Sequence, residues 1–337
     1  PHTPPPRQSS AASDVYKRQL LFILTNTRAM PPGEAAGVTR EVCRNLREAL
    51  PHLNEPWLVV SRSDSTLRGH YPVETDVIAE ELGPFDAHFL TPEFFEGGRI
   101  TRNGTHYVVT AAGEVPAHET PFARDAVFGY TTAYLPDYVE EKTSGRIAAG
   151  DVVLLGPELG DQALRVRLDD LRGNACVAVS AETPDQLDRF AAAALAATER
   201  GKRFLFRSAA SLLTSFAGLP PQPVRAEDMA GYVPEGRPGL VLVGSHVPLS
   251  STQLRVLLQK ADVDHFEIDV DQLPAASGNH AVAREVEEDG VAAVSSAHAA
   301  GRSVVIFTSR SERAFPTAAE RLVFGVQLSA LLMRIVR

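Results

Sequence analysis

Two arginines, a carboxylate and four hydroxyl side chains fall within the ten residues Ser61-Arg62-Ser63-Asp64-Ser65-Thr66-Leu67-Arg68-Gly69-His70. Such a loop suits a small polyhydroxy anion. A guanidinium grips a carboxylate through two parallel hydrogen bonds, which makes Arg68 the candidate anchor, while Ser65 and Thr66 can exchange hydrogen bonds with sugar-type hydroxyls. Asp64 could orient or deprotonate a hydroxyl and is the candidate catalytic group. Gly69 permits a close approach or a backbone conformation that a side chain forbids. The same spacing also fits a plainer use, with Asp64 and Ser65 capping a helix near Pro72 and the arginines solvated, and composition alone does not choose.

Other candidates are weaker. Leu240-Val241-Leu242-Val243 runs into Gly244-Ser245-His246 and then Ser250-x-x-Gln253, which reads as a buried strand, a Gly-Ser turn and a capping box. Gly244 and Ser245 could face a phosphate at the following helix N-terminus, although no G-x-x-x-x-G-K-[ST] or G-x-G-x-x-G fingerprint accompanies them. Asn103-Gly104 is a hairpin signal, and Arg99, after Gly97-Gly98, stays open between turn and ligand roles. The ten histidines lack H-E-x-x-H or a similar spacing, so no protein-held metal is expected, and His70, His106, His118 and His246 read as surface or hydrogen-bonded residues.

The elements that must carry these residues follow an α/β rhythm of short apolar runs and amphipathic stretches. Strands are expected at Leu20 to Thr25, Trp57 to Val60, Ala87 to Leu90, Val152 to Leu155, Cys176 to Val179 and Phe204 to Phe206. Helices are expected at Ala35 to Leu50, with Val38, Val42, Leu46 and Leu50 inward, at Val73 to Leu82 and at Gln186 to Glu199. The 61–70 loop thus leaves the C-terminal end of a strand, where open α/β sheets place ligands. Arg99 to Thr110 should be an antiparallel excursion that makes the first sheet mixed. Five prolines between Gly218 and Pro238 mark a linker. A second βα series follows, with strands at Leu240 to Val243, His265 to Asp269 and Val304 to Thr308. Its helices are expected near Ser251 to Lys260, Ala281 to Ala300 and Thr317 to Val336, with Thr317-x-x-Glu320 as a capping box and Leu328, Leu331, Leu332 and Ile335 facing a core.

Composition narrows the classes. The 337 residues suit two domains, 44% hydrophobic and 22% charged residues allow proper cores, and a net charge of −9 argues against nucleic acid and anionic lipid as main partners. Two cysteines, Cys43 and Cys176, are too few for a disulfide framework, which points to a reducing cytoplasm. The apolar runs are strand-sized, far below the roughly 20 residues of a membrane span. Pro1 to Gln19 is Pro/Ser-rich and reads as a non-native or disordered tail.

The Asp64-Ser65-Thr66-Leu67-Arg68-Gly69 run resembles the D-S-T-L-R-G motif of the four-carbon acid sugar kinase family. Leu24-Thr25-Asn26-Thr27-Arg28, Gly98-Arg99 through Asn103-Gly104, Glu119-Thr120-x-Phe122-Ala123-x-Asp125 and Gly244-Ser245-His246 resemble further family segments, so the likeness covers about Leu20 to Arg337. It implies an α/β protein of two domains, each a mostly parallel or mixed sheet flanked by helices, with a cleft between them. Residues 20–218 would bind the acid, 219–238 would link, and 239–337 would bind nucleotide. The implied reaction is ATP- and Mg²⁺-dependent phosphorylation of a hydroxyl on a threonate, erythronate or 3-oxo-tetronate type acid. Arg68 and Arg99 would anchor that acid, Asp64 would address its hydroxyls, and Ser245 would contact ATP. The family's Asp-Asp-x-Thr-Gly-Ala and Gly-Gly-x-Thr-Ser loops are not found, so the chain is expected to be truncated at both ends, poorly soluble and of little kinase activity. The rival expectation is a non-catalytic protein that holds a small hydroxy acid; a related lyase would need no ATP. The partner is a small molecule in either case, and a homo-oligomer is compatible with both.

Overall fold

The computed structural model describes residues 20–52, 57–110, 113–219, 227–229, 237–274 and 281–337. The expected tail 1–19 and most of the expected linker lie outside them. The chain divides into two compact units, one built on residues 36–220 and one on residues 221–337 together with residues 27–35.

The first unit centres on a five-stranded sheet of β1 (Val59–Arg62), β2 (Ala87–Thr91), β6 (Val153–Leu155), β7 (Ala175–Val179) and β8 (Phe204–Ser208) in the order β1-β8-β2-β7-β6. Every pairing in it is parallel. A parallel sheet needs cover on both faces, and the alternation of side chains shows how this one obtains it. Phe89, Val177, Val179, Phe204 and Phe206 point into a core shared with α4 (Asp161–Asp170), α5 (Pro184–Glu199) and α6 (Ser211–Ala217). Their neighbours Leu90, Cys176 and Ala178 face the opposite way, against Tyr130 and Tyr138, the latter on α3 (Leu135–Lys142), while Leu205 meets α1 (Pro32–Ala49) and α2 (Val73–Leu82). Thr183 caps α5 by accepting from the Gln186 amide at 3.4 Å.

Three expectations are corrected here. Residues 20–26 form no strand, and Leu20 to Leu24 are 43% to 94% exposed, because an apolar run becomes a strand only where a neighbour completes its hydrogen-bond ladder. The sheet is parallel rather than mixed. Both edges of β2 are taken by β7 and β8, so the excursion that follows pairs with itself as a separate antiparallel sheet of β3 (Arg99–Arg102), β4 (Thr105–Thr110) and β5 (Gly113–Pro116). In α1 the most buried face is Ala35, Thr39 and Cys43, with Val38 and Val42 only half-buried. On the flank of this helix Arg40, Arg44 and Arg47 all reach Glu81 of α2. At the hairpin, Asn103 and Gly104 both have positive φ (49° and 76°), the backbone that a two-residue turn of this kind requires.

The second unit is a smaller parallel sheet, β9 (Leu240–Val243), β10 (Val263–Ile268) and β11 (Ser303–Thr308), in the order β10-β11-β9. One face packs Ile268 and Ile306 against Leu331, Leu332 and Ile335 of α9 (Ala318–Ile335), and Gly290 of α8 (Ala281–Ala299) lets that helix approach Ile335 closely. The other face packs Val305 and Phe307 against Leu254 of α7 (Pro248–Leu257). Thr317 caps α9 as expected, accepting from the Glu320 amide at 3.1 Å. Ser250 does not cap α7. That helix begins two residues earlier, with Pro248 in its first turn where a missing N–H costs nothing, and Val247 at the cap.

Candidate functional site

The 63–72 loop leaves the C-terminal end of β1 and enters α2, whose cap residue is Pro72, with no side-chain cap. Asp64 therefore does not serve that helix. Its Oδ2 accepts from the Thr66 amide at 3.0 Å, from the Thr66 hydroxyl and from Arg68 Nε at 3.1 Å. Thr66 is 2% exposed, and its hydroxyl is turned inward to Asp64 and Arg68 rather than outward. It thus acts on the arginine, not as the free hydroxyl that was expected to meet a ligand.

Arg68 is drawn toward a second carboxylate, with Asp125 Oδ2 3.7 Å from Nη1. Its guanidinium lies 4.8 Å from the centre of the Phe122 ring, and that of Arg99 lies 5.7 Å from the same ring. A cation stacks favourably on an aromatic face, so Phe122 gathers two arginines that are 31 positions apart in sequence into one place. Arg99 donates to the Gly97 carbonyl but forms no ion pair among the described residues, and its Nε is buried without a partner. Burial lowers the Arg99 pKa, Arg68 nearby lowers it further, and only Asp64 opposes the shift. Such a cation gains from an incoming anion.

Gly69 has φ 122°, and a Cβ there would stand 2.7 Å from Arg207 Nη2 and 3.2 Å from the Ser63 hydroxyl. The glycine is required both by its backbone and by the arginine beside it. Arg207 is 7% exposed on β8, opposite Ser61 in the parallel register, and donates to Ser61 Oγ at 2.7 Å and to Glu74 of α2. It tethers the start of the loop to its exit helix. A charged residue at the end of an otherwise apolar strand was the only local signal for it.

Beneath the site, His106 is fully buried between Thr101 Oγ1 (3.0 Å) and the Ser65 carbonyl (2.8 Å), and burial pushes its pKa down to about 4. The neutral ring donates from Nε2 to that carbonyl, which leaves Nδ1 to accept from Thr101. Glu93, just past β2, is also fully buried, with neither carboxylate oxygen in a hydrogen bond of good geometry. Burial pushes its pKa up to about 8, with only partial compensation from the Thr101 hydroxyl and the Ala181 backbone.

In the second unit, the Gly244-Ser245 turn sits at the C-terminal end of β9 before α7, and both residues are exposed. Ser250 Oγ donates to Ser245 Oγ at 3.1 Å. Arg310, just past β11, donates to the Ser245 carbonyl, to Ser251 Oγ at 3.2 Å and to the Thr308 carbonyl at 3.1 Å. Sequence reading missed this arginine, which bridges the ends of two adjacent strands. Among the described residues no group of three or more His, Cys, Asp or Glu could hold a metal ion. No helix there is long and apolar enough to cross a membrane.

Two family models match the chain, a sugar-binding N-terminal domain over residues 6–216 and a nucleotide-binding C-terminal domain over residues 240–337. The chain belongs to the four-carbon acid sugar kinase family. It is 29% identical over 262 residues to a D-erythronate kinase of Heliobacterium modesticaldum, covering 75% of this chain and 54% of that protein. It is 30% identical over 129 residues to a D-threonate kinase of Bordetella bronchiseptica, covering 38% of this chain and 30% of that protein. The chain thus spans about half the length of the first relative and less of the second. A crystal structure from Salmonella typhimurium LT2 shares the fold, with a TM-score of 0.55 at 17% identity over 91% of this chain and 71% of the other.

Proposed function

We propose that the protein is an ATP-dependent kinase that phosphorylates a hydroxyl of a four-carbon sugar acid, of the erythronate or threonate type that its relatives are named for. The observation that carries this reading is the convergence of Arg68 and Arg99 on Phe122, where Arg99 lacks a carboxylate partner. A carboxylate ligand supplies that partner. Arg68, held in place by Asp64 and Asp125, would bind the acid through its guanidinium, and Ser65 and the Gly69 backbone would line the same loop. Asp64 would orient the substrate hydroxyl and take up its proton.

Phosphoryl transfer rests mainly on positioning and charge neutralisation, and the second unit offers groups suited to a nucleotide. The exposed Ser245 hydroxyl, the Gly244 backbone and the N-terminus of α7 fit a phosphate, and Arg310 fixes the turn that presents them. ATP supplies the phosphoryl group, and Mg²⁺ would arrive largely coordinated by its phosphates.

The test is ATP consumption with Mg²⁺ and D-erythronate, D-threonate or 3-oxo acids, compared with Arg68→Ala. Acid-dependent turnover is expected, falling roughly tenfold to a hundredfold in the variant, as loss of a charged hydrogen-bonding anchor implies. If no acid stimulates ATP use but one raises the melting temperature, a non-catalytic acid-binding protein replaces the kinase.

A further inference from the structure

Glu93 is a carboxyl group that the chemistry above does not use. It follows β2, is 0% exposed, and has neither oxygen in a hydrogen bond. The polar groups that act on it are its own amide, the Thr101 hydroxyl and the Ala181 backbone. Thr101 and His106 are also 0% exposed. Thr101 Oγ1 lies 3.0 Å from His106 Nδ1, and His106 Nε2 lies 2.8 Å from the Ser65 carbonyl on the 63–69 loop.

This relay has a direction. A carbonyl only accepts, so His106 must donate to Ser65 from Nε2, and the neutral ring then has only a lone pair at Nδ1. Thr101 must therefore give its single hydroxyl proton to His106, and none is left for Glu93. Glu93 can pair with Thr101 only as the neutral acid, donating its O–H to a lone pair of Thr101 Oγ1. Ionisation reverses every link. The carboxylate takes the Thr101 proton, the Thr101 hydroxyl turns to accept, and the imidazole proton moves from Nε2 to Nδ1, while one proton leaves to solvent. An Nε2 lone pair then faces the Ser65 carbonyl, and that contact repels. The next two carbonyls of the loop lack such a device. Thr66 and Leu67 accept at 2.8 Å from Tyr130 and Tyr138, whose hydroxyl protons burial retains.

The charged groups around the relay do not drive it. Arg99 lowers and Asp64 raises the His106 pKa, and burial outweighs both. Arg207 of β8 pairs with Glu74, Glu182 beyond Ala181 pairs with Arg102 at 2.6 Å, and Glu96 accepts from Ser211 of α6 at 3.5 Å. Burial pushes the Glu93 pKa up to about 8, with no charged side chain among the causes.

We propose that Glu93 is a buried proton switch for the 63–69 loop: as the neutral acid it fixes His106 on the Ser65 carbonyl through Thr101, and its ionisation releases that carbonyl. Glu93 is a positioning residue, separated from the loop by two side chains. The relay stands on its own geometry, and only its effect on acid binding rests on the sugar-acid reading above.

The test follows the ring ¹⁵N resonances of His106 in the full chain labelled at histidine, from about pH 6 to about pH 9.5, in wild type and Glu93→Gln. Glutamine keeps an N–H donor for Thr101 at every pH and so stands in for the neutral acid. The expected result is an Nε2–H ring that converts to Nδ1–H with rising pH in the wild type and stays Nε2–H in the variant. Calorimetry at the two pH limits measures D-erythronate, which stays ionised throughout. Its affinity should weaken roughly three- to tenfold toward high pH in the wild type and hold in the variant. A wild-type ring that stays Nε2–H to the upper limit, or that converts equally in Glu93→Gln, overturns the switch and leaves the kinase reading standing. Conversion without loss of D-erythronate affinity overturns its hold on the loop. If the wild type binds no four-carbon acid, the sugar-acid reading falls and the ring resonances still decide the switch. The wild-type titration suffices even where Glu93→Gln does not fold.

Discussion

The loop after β1 and the turn after β9 are written in the same local grammar, a short apolar strand, then Ser and Gly, then a helix, yet the two units support them differently. The first loop is backed by His106, Tyr130 and Tyr138 and by a sheet whose β2 and β8 are buried at every position. The second turn is exposed, and the strand that delivers it leaves Leu240, Val241 and Leu242 about 40% open. Arg310 holds it by hydrogen bonds at its rim rather than from a core. The difference teaches that what fixes the shape of a polar loop is the buried layer behind it, not the residues it displays.

That contrast can be broken by truncating each unit's sheet. Phe89 is fully buried among Phe190, Phe204 and Phe206, so Phe89→Ala should cost about 3–5 kcal/mol, while Leu242→Ala should cost less than about 1 kcal/mol. Trp57, the single tryptophan, lies in the first unit beside Arg203, and its fluorescence reports that unit's unfolding. Phe89→Ala should move the fluorescence-detected urea midpoint and Leu242→Ala should leave it in place; equal shifts would end the comparison.

Glu93 sharpens it from the side of charge. Its native pKa of about 8 lies above its unfolded value, so on raising the pH the unfolded chain releases this proton first and the native state loses stability. The penalty is absent below about pH 4.5, grows between there and about pH 8 by roughly a kcal/mol per pH unit at most, and is constant above. Glu93→Gln should therefore melt higher than wild type at pH 8, with the gap closing toward pH 5. A gap independent of pH would show that the carboxyl is not the cause.

The smallest effect is expected at a cap in the second unit. Thr317→Ala removes the acceptor for the Glu320 amide at the start of α9 and should cost about 1 kcal/mol. Far-UV circular dichroism should register the shift in that helix, with Trp57 fluorescence unaffected. A shift of both signals together would mean that the two units unfold as one.

By itself the sequence determined what is local. Period-two and helical patterns located nearly all the parallel strands and the longer helices, and Val73–Leu82 and Leu240–Val243 have the limits expected from them. The ten-residue polar loop, the Asn103-Gly104 turn and the Thr317 cap were legible for the same reason, since each is set by residues within a few positions of one another. The strand expected at Leu20 to Thr25 failed because pairing depends on a distant partner. Only the tertiary structure decided that Phe122 and Asp125 stand beside Arg68, that Arg99 joins them, that Arg207 closes against Gly69, and that His106, Tyr130 and Tyr138 turn the loop's carbonyls inward. Those contacts satisfy polar groups withdrawn from water, and which groups meet there is settled by how the sheet and the hairpin pack, not by spacing along the chain.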